Sequence, residues 1–319
     1  MILLHRINSL EGLSSLKPSY WGFDTVQVAW DLAVNDRVSQ VLLTDPNVKI
    51  VLAFIPSEQN SPLFTGSVFS KVYEQFEMGL SNLKLSYGDR ILGVRWNHEY
   101  RPTAFYRGSN WVTYASRRSP GLYQYIEQRK WDAWQNLCKK GSMADVFPVS
   151  FLESTKEDKD LQKLFSLLIE YQSEREAIVI NTLVDITKKF GLSFILYPCT
   201  ESNLSPRMCP KIEYTLDLSK IYGDNIIWEM ASWDFFGDAW LNSASVKMSE
   251  YHPNAKKIFS LQSTTMLLSN ESSIVTAVRS RFMRSNPWGW MSFWSTFSEV
   301  ENRQIYLNAV RNGLLTISY

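Results

Sequence analysis

The sequence predicts an α/β fold of the (β/α)8-barrel type, and two observations carry that prediction. Eight short apolar or alternating runs recur along the 319 residues, with helix-like stretches between them. Such alternation is the signature of parallel βαβ units, and eight of them suffice to close a barrel. No Gly-x-Gly-x-x-Gly follows the first run, so the closed barrel is preferred to an open doubly wound sheet.

The runs lie at 2–8, 21–30, 49–57, 90–99, 192–201, 225–234, 257–265 and 289–297. Each has strand length and is rich in β-branched or aromatic residues. Between the third and fourth, residues 66–87 place Phe69, Val72, Phe76, Leu80 and Leu83 on one helical face, and Gly88 follows as a stop. Ser154 and Glu157 form a capping box that opens a helical pattern running to Phe190, with Leu161, Leu164 and Leu168 on its apolar face. Gly191 closes it. Ser298 and Glu301 form another capping box, with Gly313 as the expected end of that helix. Residues 102–153 depart from the repeat. They are rich in Tyr, Trp, Arg and Ser and read as an insertion over the barrel mouth. With no linker, internal repeat or low-complexity stretch, 1–319 is read as one barrel domain.

Composition bounds the function. Hydrophobic residues make up 45% and charged residues 20%, too apolar for a disordered chain. Lys+Arg is 33 against Asp+Glu 32, a formal net charge of +1, and no basic run occurs. No nucleic-acid partner is expected from such a balance. Three Cys (Cys138, Cys199, Cys209), none in a Cys-x-x-Cys, argue against a disulfide framework or zinc cluster. Three His leave little for a His-based metal site, so no metal and no cofactor is expected. No run of 18 apolar residues occurs, and 1–6 is too short for a secretory h-region. No membrane partner is expected, and the chain reads as soluble and cytoplasmic. The 12 Trp, 15 Tyr and 17 Phe exceed what a core needs and point to a binding cleft.

In a barrel the active site sits at the C-terminal strand ends. Polar residues assigned there are Asp24 and Gln27 on the second strand, Asn97, His98, Glu99 and Tyr100 on the fourth, Tyr197 and Glu201 on the fifth, Glu229 and Asp234 on the sixth, and Gln262 on the seventh. The fourth strand is the most informative. Alternation puts Gly93, Arg95, Asn97 and Glu99 on one face, and Leu92, Val94, Trp96 and His98 on the other. The apolar row suits the helix side, so the polar row points inward and ends in a carboxylate at the mouth. Burying Arg and Asn is costly unless they are paired. Glu99 is therefore the first catalytic candidate, set against a structural salt-bridge layer. Glu229 and Asp234 are further catalytic candidates, because facing carboxylates about 5–9 Å apart support glycoside hydrolysis. Glu229 equally suits an interior pair with Arg95. Trp233, Trp290 and Trp294, with Tyr197, offer flat platforms for the apolar faces of sugar rings. Interior packing is the competing fate of each.

Two resemblances extend this reading. Leu92-Gly-Val-Arg-Trp-Asn-His-Glu-Tyr100 resembles the D-G-x-D-x-D-x-E strand of chitinase-like barrel glycosidases. That resemblance implies Glu99 as general acid, while the three Asp of the motif fall on Leu92, Arg95 and Asn97. A Glu after Asn or His at this strand end also looks like the acid/base of the large retaining (β/α)8 glycosidase clan. That clan carries its nucleophile on the seventh strand, where this chain has Ser260, Gln262 and Thr264. Gly289-Trp-Met-Ser-Phe-Trp294 is similar to the Trp-bearing last strand of several such families. At the N-terminus, His5-Arg6, Gly22-Phe-Asp-Thr-Val-Gln27 and Thr44-Asp-Pro46 look like the opening of glycerophosphodiester phosphodiesterases, also barrels. Their cation ligands would fall on Gln27 and Ala29, and their second His on Thr44, which would hold a hard cation poorly.

Three functions are consistent with these patterns. The first is a glycoside hydrolase acting on an oligo- or polysaccharide, with Glu99 as acid/base and a second carboxylate from Glu229, Asp234 or Glu201. Arg95, Asn97, His98, Tyr100 and the strand-end aromatics would hold the carbohydrate. The second is a phosphodiesterase-like barrel built on His5. The third is a barrel that binds a glycan or protein without catalysis.

Overall fold

The computed structural model describes residues 2–7, 18–21, 23–30, 33, 45–54, 69–97, 174, 177–197, 218–233, 249–262 and 290–292, with 272, 275, 276, 279, 308, 309, 311–313 and 315. Eight parallel strands close on themselves in chain order. They are β1 (Ile2–Ile7), β2 (Thr25–Ala29), β3 (Lys49–Phe54), β4 (Ile91–Asn97), β5 (Ser193–Tyr197), β6 (Ile226–Trp233), β7 (Lys256–Gln262) and β8 (Trp290–Ser292). β8 pairs back onto β1, so the sheet has no edge. The predicted fold class is the one observed, with a strand in each of the eight runs.

Within the described residues, most of the ladders are shorter than the apolar runs that mark them. One consequence is a correction. Asp24 precedes the first residue of β2 and so lies at the N-terminal end of the barrel, not at the mouth.

Two rows alternate along each strand. Val51, Ile195, Ile227 and Ile258 form a buried cluster inside the barrel, with Leu92 packed against it. Gly93 sits in register with Val51 and Ser193. A Cβ on Gly93 would lie 2.3 Å from the Ser193 carbonyl oxygen, so the β4–β5 approach requires glycine there. The other row, including Val26, Val28, Leu52, Val94, Trp96, Phe194, Leu196 and Trp228, is buried on the outside of the sheet.

Helix α1 (Phe69–Tyr87) covers that outer row near β3 and β4. Phe76, Leu80 and Leu83 are buried, as the periodicity predicts. Phe76 stacks on Trp30 with ring centroids 5.2 Å apart and meets Phe54 at 4.8 Å, and Phe54 in turn reaches Trp96 at 5.9 Å. Gly88 takes φ +54°, the left-handed value that ends a helix, and the one-turn 3-10 segment Gly88–Arg90 leads into β4. Residues 177–189 are helical, and Gly191 at φ +66° turns the chain into β5. Gly313 does not end the last helix, since it is helical and so is Leu315 beyond it. Gly313 is buried there. The proposed insertion 102–153 and the capping boxes at Ser154 and Ser298 lie outside the described residues.

Candidate functional site

β4 places Arg95 on the inner row two residues below its C-terminal end. β6 places Glu229 on the same row, reached across the intervening β5. The two side chains form a bidentate pair. Arg95 Nη2 donates to Glu229 Oε1 at 2.8 Å, and Arg95 Nε donates to Glu229 Oε2. Arg95 is 2% exposed and Glu229 is 0% exposed. A carboxylate and a guanidinium this deep are tolerated only when each satisfies the other's charge and hydrogen bonds. The interior pairing that the sequence left open for Glu229 is thus formed. It also fixes the direction of the fourth strand, because Arg95 faces inward while Val94 and Trp96 are buried on the other row. The polar-inward alternation expected from the sequence holds through Arg95.

The mouth is framed by the last residues of four adjacent strands. Asn97 ends β4 and is in register with Tyr197, which ends β5. Trp233 ends β6 and is in register with Gln262, which ends β7. Four of the substrate-binding candidates are therefore brought to one end of the barrel by backbone register alone. Trp290 is not part of that set. It opens β8 in register with Ile2 and Phe259, one residue out of step with the row that holds Glu229, Ala231 and Ser260. His98, Glu99, Tyr100, Glu201, Asp234 and Trp294 lie outside the described residues. Of the positions tied to the phosphodiesterase resemblance, Gln27 is buried in β2 with an Oε1 that accepts no hydrogen bond among the described residues, and Ala29 ends that strand.

The N-terminal end of the barrel holds a second feature that sequence reasoning did not anticipate. A cavity of about 370 Å³ opens there, lined by Asp24, Thr25, Asn47, Lys49, Val51, Leu92, Gly93, Ser193, Ile195 and Ile227. Polar residues at the first strand positions are the signal that could have found it.

Nearby contacts hold the N-terminal ends of β3 and β4 together. Arg90 Nη2 donates to the carbonyls of Asp45 (2.8 Å) and Val48 (2.7 Å), and Asp45 Oδ2 accepts from the Ser19 backbone N–H at 2.9 Å.

No protein-family profile and no curated protein matches the chain. Solved structures do resemble it. A chitinase from Chromobacterium violaceum aligns over 98% of this chain and 98% of its own, with TM-score 0.53 and 11% identity. The PgaB (BpsB) glycoside hydrolase domain from Bordetella bronchiseptica covers 96% of this chain and 97% of its own, with TM-score 0.48 and 10% identity. A sugar phosphate isomerase/epimerase from Parabacteroides distasonis covers 99% and 92%, with TM-score 0.47 and 11% identity. At such identities the likeness speaks to fold and not to chemistry. Eight parallel strands closed in chain order, in the shape of a chitinase barrel, make this chain a (β/α)8 barrel.

Proposed function

We propose that the chain is a glycoside hydrolase that cleaves an oligo- or polysaccharide at the C-terminal mouth of the barrel. The observation that carries this reading is the inward-facing Arg95 held by Glu229. It supports the alternation by which Asn97 and then Glu99 continue the polar row toward the mouth. In this reading Glu99 is the general acid/base. Both Glu229 oxygens accept from Arg95, so Glu229 acts as a charged anchor beneath the site, and the second carboxylate is Asp234 or Glu201. Asn97, Tyr197, Trp233 and Gln262 line the floor of the sugar site at the ends of β4–β7. His98, Tyr100 and Trp294 complete the contacts to substrate. A chitinase is built on the same fold, and carbohydrate-cleaving chemistry needs only two carboxylates and stacking surfaces at this end.

The test is hydrolysis of a panel of aryl glycosides and polysaccharides by the parent chain and by Glu99→Gln. Removing a general acid should lower turnover roughly a hundredfold to ten-thousandfold, with circular dichroism and melting temperature unchanged. Equal turnover in the variant and the parent would refute the assignment of Glu99. Binding of a glycan to the parent without hydrolysis on long incubation would replace catalysis with recognition.

A further inference from the structure

We propose that the N-terminal end of the barrel binds the tail of a short-chain aliphatic amphiphile, such as a six-carbon primary alcohol, and leaves its polar head in water. The cavity there is about 370 Å³. That is within the roughly 300–1,000 Å³ of small-molecule sites, and larger than the apolar hollow of about 150 Å³ that suffices for a benzene ring.

The hollow follows from the strands. Gly93 is the inner-row residue of β4 below Arg95, in register with Val51 on β3 and Ser193 on β5. A Cβ there would meet the Ser193 carbonyl oxygen at 2.3 Å, so the close strand approach keeps any side chain out of that part of the interior. The space is walled instead by Val51, Leu92, Ile195 and Ile227. Leu92 is half-buried and the other three are at most 3% exposed. Among the described residues the lining ends at Gly93 on β4 and Ile227 on β6, one inner-row step short of Arg95 and Glu229. Those two charges bind each other, so the deep end of the hollow is an apolar surface. The rim faces solvent. Asp24, Asn47 and Lys49 are exposed there, and the Thr25 hydroxyl is engaged within the protein, donating to Asp24 Oδ1 at 2.6 Å.

Burial decides the ligand class. Water lying on Val51, Leu92, Ile195 and Ile227 gains no hydrogen bond from their side chains, whereas an alkyl chain removes that apolar area, and its own, from water. A polar head placed deep would lose its hydration against four hydrocarbon side chains, which is costly. The head therefore stays at the rim, among exposed groups of both signs, where its charge adds little. Chain length, not head charge, sets the affinity. This site is at the end of the barrel opposite Asn97 and does not depend on the proposed hydrolase activity.

The test is calorimetric titration of the full chain with the straight-chain alcohols butanol, pentanol and hexanol, and then with hexanoate and hexylamine. Binding should be saturable and should tighten about fourfold per added methylene. Hexanoate and hexylamine should bind within about fivefold of hexanol, the scale of one exposed ion pair. Val51→Phe and Leu92→Phe each push a ring into the hollow and should weaken hexanol binding about tenfold or more, the equivalent of excluding two methylenes. Melting temperatures identify which of these variants keeps the fold, and the alcohol series on the parent needs neither. Glu99→Gln should bind hexanol as the parent does, and loss of binding there would place the alcohol at the opposite mouth and overturn the proposal. No saturable heat up to about 10 mM hexanol, the scale of a very weak site, would overturn it. Equal affinity along the alcohol series, or unchanged hexanol binding in a folded Val51→Phe or Leu92→Phe, would do the same. So would a preference for hexanoate or hexylamine larger than the gain from two methylenes, because recognition would then lie in the rim charges.

Discussion

Arg95 and Glu229 form a charge pair whose removal can be worked through in numbers. At an effective dielectric of about 20, opposite charges at 2.8 Å attract by about 6 kcal/mol. Desolvating each ion costs several kcal/mol, so the net value of the pair is small. The two halves are not independent, however. Arg95→Met leaves a carboxylate with 0% exposure and no counter-charge, and Glu229→Leu leaves a guanidinium that is 2% exposed. Each single variant should lose about 3–5 kcal/mol, a large share of the roughly 5–15 kcal/mol that holds a domain folded. The double variant removes both charges and fills the space with apolar atoms, and should stand within about 1 kcal/mol of the parent or above it. Urea denaturation followed by Trp fluorescence measures all four proteins. A coupling energy above about 3 kcal/mol in the resulting cycle is expected. Single variants that each lose under about 1 kcal/mol, or losses that simply add, would refute the reasoning that the pair is buried and mutually dependent. The double variant also separates anchoring from catalysis. If it folds and still cleaves a glycoside at the parent's rate, Glu229 takes no part in the chemistry.

Further outcomes follow from particular contacts. Gly93→Ala forces a Cβ against the Ser193 carbonyl at 2.3 Å. It should cost about 1–3 kcal/mol, read as a lower melting temperature, and an unchanged melting temperature would contradict the close β4–β5 approach. Lys257 has its pKa lowered by burial, so the folded chain gives up this proton at lower pH than the unfolded chain does. The unfolded chain then holds more protons, and stability attributable to Lys257 rises as pH climbs through the lowered value toward the ordinary lysine range. Lys257→Met should remove that rise, making urea midpoints less dependent on pH on the alkaline side below the ordinary lysine value of about 10.5. A steeper alkaline rise in the variant than in the parent would refute this sign.

The barrel was legible in the sequence because strand chemistry and strand–helix alternation are local properties. Eight apolar runs of strand length, Phe76, Leu80 and Leu83 on one helical face, and Gly88 and Gly191 at helix ends depend on residues near one another in the chain. Arg95 was legible too, since period-two alternation within 90–99 sets its row against Val94 and Trp96. What the sequence could not supply was which strand ends pair and where each ladder starts. Glu229 lies 134 residues from Arg95, and only closure of the sheet brings the two together. The same closure places Asn97 beside Tyr197 and Trp233 beside Gln262. It puts Trp290 out of step with the Glu229 row, because a one-residue change in register exchanges the two faces of a strand, and the start of β2 at Thr25 leaves Asp24 at the far end of the cylinder. Local periodicity determined the elements. Long-range pairing, whose partners carry no mark in the linear order, decided which charge is anchored, which strand ends frame the mouth and where the second cavity opens.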